Sequence, residues 1–204
     1  MIRVLIAEDH QIVRDGLKRI LAATTDIEVA GEATGGDEAL ALVKANNYDV
    51  AMLDMSMPGL SGLDLIKRLK IEKPKLRILV LSMHGERQYA ARALKAGASG
   101  YLNKDSASDQ LVSALRKIAA GGVHIGEAAA ASLVSPGGGA HQALTDREFE
   151  VMRLLVEGLA PTDIADRLHL SVKTVSTHKT RILEKLNLGG TAELVRYALE
   201  NKLV

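Results

Sequence analysis

Apolar positions along the chain follow two regimes, which change over near residue 121. In the first, short β-branched runs alternate with stretches of helical period. The runs are Ile2–Ala7, Ile27–Ala33, Val50–Leu53, Arg77–Leu81 and Gly100–Leu102. The helical stretches between and after them are Gln11–Ala23, Gly36–Asn46, Leu60–Lys70, Gln88–Ala96 and Ala107–Ala120. Five strand–helix pairs in about 120 residues predict parallel strands joined by right-handed crossovers. Within RVLIA, VAML and RILVL the stretches VLIA, VAML and ILVL are apolar at successive positions, as strands covered on both faces must be. A doubly wound α/β fold of this kind places its site at the carboxyl ends of its strands.

In the second regime no strand is predicted. Ser135–Gln142 (SPGGGAHQ) reads as a flexible linker, and from Leu144 onward the pattern is helical. Thr145 and Glu148 form a capping box ahead of an apolar helix that Gly158 ends. Pro161 suits the first position of a short second helix, His169-Leu170 makes a turn, and Ser171 caps a longer third. Gly189-Gly190 stop the third helix and Thr191 begins the fourth. A short helix, a tight turn and a longer capped helix make a helix-turn-helix, which inserts its second helix into the DNA major groove. The expected division is 1–122, a linker over 123–142, and 143–204.

Composition narrows the function classes. No run of about eighteen apolar residues occurs, so a membrane span is not expected. The absence of cysteine removes disulfides and thiolate metal sites and fits a cytoplasmic protein. With no tryptophan and one phenylalanine, aromatic stacking on single strands is a poor expectation. Net charge is only +1, so a nucleic-acid case rests on where the charges sit.

The strand ends carry the chemistry. The first strand ends in Glu8-Asp9, the third in Asp54, the fourth in Ser82, and Lys104 follows the fifth. One such acid is ordinarily a cap or a solvated loop residue; three acids, a hydroxyl and a lysine on one sheet edge are not explained that way. Clustered carboxylates need a cation to remain ionised, and an all-oxygen set favours Mg²⁺. His10 and His84 flank the cluster and read as loop residues facing solvent.

Glu8-Asp9, DVAMLDMSMPGLSGLDL, LVLSMH and GYLNKD occur in order on the expected elements. In this the chain resembles, over about residues 1–122, the flavodoxin-like receiver domains of two-component response regulators. The resemblance implies that Asp54 is the phosphoacceptor, taking a phosphoryl group from a partner sensor histidine kinase. It implies Mg²⁺ held by Glu8, Asp9, Asp54 and the backbone carbonyl of Ser56. Lys104 would neutralise a phosphoryl oxygen, Ser82 would bond another, and Tyr101 would change rotamer as Ser82 moves. Glu8 stands where many receivers have aspartate, and Asp105 replaces a common proline. Met57-Pro58-Gly59 should form a sharp turn after Asp54.

At about 100° per residue, the third helix of the second region puts Val172, Val175, Ile182 and Leu186 on a core-facing arc. Lys173, Thr177, Thr180 and Arg181 lie opposite with Ser176 on the flank, while Lys179 falls among the apolar positions. Lys173, Lys179, Arg181 and Lys185 against Glu184 make this helix locally positive. The stretch from LTDREFEVMRLLVEG through ILEKLN resembles the LuxR-type helix-turn-helix of NarL/FixJ response regulators. The resemblance implies Lys173, Ser176, Thr177 and Thr180 at bases or nearby phosphates of double-stranded DNA, with Lys179 and Arg181 on the backbone. It also implies a dimer contact around Leu194–Ala198. Ala160-Pro161-Thr162 departs from the usual capping residues.

The expected protein is therefore a non-enzymatic transcription regulator: phosphorylation controls dimerisation and DNA binding. An aspartate-nucleophile phosphohydrolase is the enzymatic alternative, but it needs a second acid two residues after the nucleophile, where Ser56 stands. A regulator whose receiver mediates contacts without phosphate is the other alternative.

Overall fold

The computed structural model describes residues 1–57, 60, 62–82, 87–104, 107–125, 139–201 and 203. Strands β1 (Ile2–Ala7), β2 (Ile27–Ala33), β3 (Val50–Asp54), β4 (Arg77–Ser82) and β5 (Gly100–Asn103) form one parallel sheet in the order β2-β1-β3-β4-β5. Helices α1 (Gln11–Ala22), α2 (Gly36–Ala45), α3 (Gly62–Glu72), α4 (Arg87–Ala96) and α5 (Ala107–Ala119) fill the crossovers. Strand alternation explains the unbroken apolar runs. Val4, Ile6, Met52, Leu79 and Leu81 pack on one side with residues of α1 and α5, such as Leu21 and Leu115. Leu5, Leu53, Ile78 and Val80 pack on the other with residues of α2, α3 and α4.

The second region is all helical. A 3₁₀ turn, Ala140–Ala143, leads into α6 (Asp146–Val156), α7 (Pro161–Leu168), α8 (Val172–Leu186) and α9 (Thr191–Glu200). Three of these starts have a local cause. The Thr145 and Glu148 side chains cap α6 reciprocally, Pro161 opens α7, and the Ser171 hydroxyl accepts from the Thr174 N–H at 3.0 Å. His169 takes a left-handed conformation (φ 50°) to turn from α7 into α8.

Three expectations are corrected and a fourth is narrowed. The end of the Ser135–Gln142 stretch is not flexible linker: the 3₁₀ turn is ordered by burial of His141, whose Nδ1 lies 2.9 Å from the Tyr197 hydroxyl. Residues 135–138 lie outside the described residues. The third helix is stopped by Asn187 in a left-handed conformation (φ 55°), ahead of Gly189-Gly190. Val172 is 44% exposed, because the first turn of α8 projects past the core. Within the Leu194–Ala198 stretch, Leu194 and Ala198 themselves are fully buried inside their own domain, so a dimer contact there falls to the residues between them, such as Val195 and Arg196.

Candidate functional site

The sheet edge gathers the predicted pocket. β1 leads directly into Glu8 and Asp9, β3 ends on Asp54, β4 on Ser82, and Lys104 follows β5. Asp54 is 2% exposed and Glu8 is wholly buried. The Lys104 ammonium bridges them, 2.6 Å from Glu8 Oε2 and 3.0 Å from Asp54 Oδ1. Glu8, Asp9, His10 and Asp54 each offer a ligand atom, all within 4.8 Å of one another. Burial foremost pushes the Asp54 carboxyl up from its ordinary range; Lys104 opposes this, while Glu8 and Asp9 reinforce it. Burial works against the Lys104 charge, yet Asp54 and Glu8 outweigh it and hold its pKa above the ordinary value.

Three carboxylates against one ammonium leave a formal charge of −2 in a buried pocket, which a divalent cation balances. Asp54 Oδ2 is buried and has no hydrogen-bond partner among the described residues, so one oxygen of the central acid is left for a ligand. The donor set is mainly carboxylate oxygen, which suits a hard cation such as Mg²⁺.

Other residues take unequal places. Ser82 is half-buried and pairs in register with Asn103 at the strand ends, and Tyr101 is buried on β5. The Ser56 carbonyl accepts from Arg167 of α7 at 3.4 Å. His10 is exposed, as expected of a loop histidine, but its ring also reaches the acid pair. Although its side chain is 65% exposed, Nδ1 lies 3.1 Å from Glu8 Oε1 and 3.0 Å from Asp9 Oδ1. Its adjacency to Glu8-Asp9 was the available signal. Pro58, Gly59, His84 and Asp105 lie outside the described residues.

The second feature is α8. Lys173, Ser176, Thr177, Thr180 and Arg181 are exposed, and Lys179 is half-buried, as its place beside the apolar arc requires. The Thr177 and Thr180 hydroxyls donate back to the carbonyls of Lys173 (2.9 Å) and Ser176 (3.1 Å). Each keeps an acceptor lone pair and a methyl group for an outside partner. Lys185 is drawn inward: its ammonium sits 2.6 Å from Glu148 Oε2 and 3.2 Å from the Ala143 carbonyl. Of the four basic residues on the helix, this one ties α8 to α6. No helix among the described residues is long and apolar enough to cross a membrane.

Comparison with known proteins joins the two features. Residues 4–116 match the response regulator receiver domain, and residues 142–198 match the luxR family of bacterial regulatory proteins. Response regulator UvrY of Escherichia coli K12 is 35% identical over 209 residues, covering 100% of this chain and 96% of UvrY. Among solved structures, the Salmonella typhimurium RcsB response regulator superposes with a TM-score of 0.78 at 30% identity, covering 98% of both chains. RcsB from Salmonella enterica serovar Typhimurium, bound to promoter rprA in the presence of the phosphomimetic BeF₃⁻, gives 0.72 at 29% identity over 96% of this chain and 97% of that one.

Proposed function

The chain belongs to the response regulators that join a receiver to a LuxR-type DNA-binding domain, and on that footing we propose how its own residues take up phosphate and read DNA. Asp54 is the nucleophile. One of its carboxylate oxygens attacks the phosphorus of a phosphohistidine on a sensor kinase, the P–N bond breaks, and the histidine leaves with the bonding pair and takes a proton. The observation that carries this reading is the buried Asp54, held by Lys104 through one oxygen, with no partner among the described residues for the other.

Glu8, Asp9, Asp54 and the Ser56 carbonyl would hold Mg²⁺, which when bound supplies positive charge for the phosphoryl oxygens. Lys104, already 3.0 Å from Asp54, meets another phosphoryl oxygen as a point charge. Ser82, at the next strand end, donates its hydroxyl to a third oxygen, and Tyr101 answers the shift of Ser82. In the second domain Lys173, Ser176, Thr177 and Thr180 face bases or nearby phosphates, while Lys179 and Arg181 grip the backbone. The domains so defined are 1–122 and 143–204, joined over 123–142. The active form is a homodimer on paired half-sites. Its contact is the exposed side of α9, which carries Val195, Arg196 and Leu199 beside the buried Leu194 and Ala198.

Incubation with acetyl phosphate or a phosphorylated kinase tests the assignment. Wild type should incorporate base-labile phosphate and Asp54→Asn none; undiminished labelling of Asp54→Asn would remove Asp54 from the role.

A further inference from the structure

The helical domain does not stand apart from the receiver. A single cluster of buried residues runs from the α3–α4 side of the sheet into the helix-turn-helix core. Arg92 of α4 is the principal clamp. Its guanidinium donates to the carbonyls of Leu144 and His141 and to Asp146 Oδ1, each at 3.0 Å, and lies 4.4 Å from the centre of the Phe149 ring. Lys67 of α3 pairs with the other Asp146 oxygen, and Tyr89 of α4 packs on Phe149 with ring centres 5.8 Å apart. Gly62 admits Glu150 here: a Cβ would lie 3.1 Å from Glu150 Oε1 and from the Tyr89 hydroxyl, and its φ of +59° favours glycine in any case.

This seam ends at the pocket. Arg167, near the end of α7, reaches the Ser56 carbonyl, two residues beyond Asp54. The remaining hydrogen-bonding capacity of that oxygen is no refuge for a divalent cation, because a guanidinium and a dication on one oxygen repel. The α8 residues proposed to meet bases are exposed while the domain is docked, and docking instead engages α3, α4 and the loop after Asp54.

We propose that the DNA-binding domain gates the receiver's cation site: docked through Arg92, it parks Arg167 on the Ser56 carbonyl, and docking and divalent-cation binding exclude one another. The inference rests on the reading that the acidic pocket with the Ser56 carbonyl holds Mg²⁺. Linkage makes the effect reciprocal, so Mg²⁺ loosens the seam by the same factor by which the seam weakens Mg²⁺. Binding of metal before phosphate thereby begins to free the helical domain.

The test is calorimetric titration of Mg²⁺ into the full-length, metal-free protein, with small-angle scattering before and after saturation. Arg167→Ala and Arg92→Ala should each bind Mg²⁺ about threefold to tenfold more tightly than wild type, the loss of a hydrogen bond or two. Wild type should expand on saturation. Arg92 is the decisive position because it acts on the seam and not through Ser56. Tighter binding in Arg167→Ala alone would reduce the effect to removal of a nearby charge and overturn the gate, as would equal affinities in all three proteins. Should Arg92→Ala fold poorly, Arg92→Lys keeps the charge while losing the forked contacts, and the same tightening is expected. Asp54→Asn separates the two readings: if wild type binds Mg²⁺ and Asp54→Asn binds it as well, the pocket reading itself fails, whereas loss in Asp54→Asn with no tightening in the Arg92 variants overturns only the gate.

Discussion

The acidic pocket and helix α8 solve opposite problems. The pocket assembles Glu8, Asp9, Asp54, Ser82 and Lys104 from four strand ends and buries its central acids, so that charge becomes expensive and a cation or phosphoryl group is strongly felt. Helix α8 carries its proposed contacts within one stretch of nine residues, Lys173 to Arg181, mostly open to solvent. There each charge is worth little until a polyanion arrives. A buried, non-local site suits chemistry and switching. An exposed, local one suits reading a long repetitive surface.

That contrast is open to breaking at its strongest point first. Asp54→Asn should abolish incorporation of phosphate, whereas no single substitution on α8 should abolish DNA binding; radiolabelling and gel-shift titration compare the two directly. On α8 itself, Thr177→Ala should cost about 1–3 kcal/mol on the true operator and little on random duplex, because a lost base contact is specific to sequence. Equal loss on both duplexes would show that the helix is oriented otherwise. Arg181→Ala should weaken both duplexes alike and flatten the log–log salt dependence by roughly one unit, as loss of a phosphate contact does.

The smallest expected effect sharpens the comparison, since it concerns Glu148, a buried charge that ties α6 to α8. Burial raises the Glu148 pKa, but Lys185 and Thr145 outweigh it and hold the carboxyl below its ordinary 4.5. A depressed folded-state pKa gives stability that is present above the unfolded value and lost as pH falls through the folded one. Wild type should therefore lose stability on acidification below about 4.5 more steeply than Glu148→Gln. At neutral pH that variant should be less stable by about 1–3 kcal/mol, the worth of hydrogen bonds to a charged group. Thermal melts across the acid range read both; parallel acid curves would mean that the Lys185 tie contributes nothing.

The elements and their chemistry are legible in the linear chain. Continuous apolar runs marked β1, β3 and β4 as strands covered on both faces, as their burial bears out. Thr145, Glu148, Pro161 and Ser171 fixed the helix starts because capping is settled within one turn of chain. The convergence of Glu8, Asp9, Asp54 and Lys104 followed from strand order alone, since parallel crossovers bring every carboxyl end to one edge. Packing settles the matter wherever one helical face can meet more than one neighbour. Periodicity marks Leu194 and Ala198 as apolar without saying whether a domain core or a second subunit covers them, and packing turned them inward. It counts Lys185 as a positive charge on α8, but Glu148 of another helix claims it. Nor could it foresee that Arg92 and Arg167, far apart along the chain, would press a helix-turn-helix against the loop that follows Asp54. Such contacts depend on surfaces that exist only after both domains have folded, and no local pattern of residues encodes them.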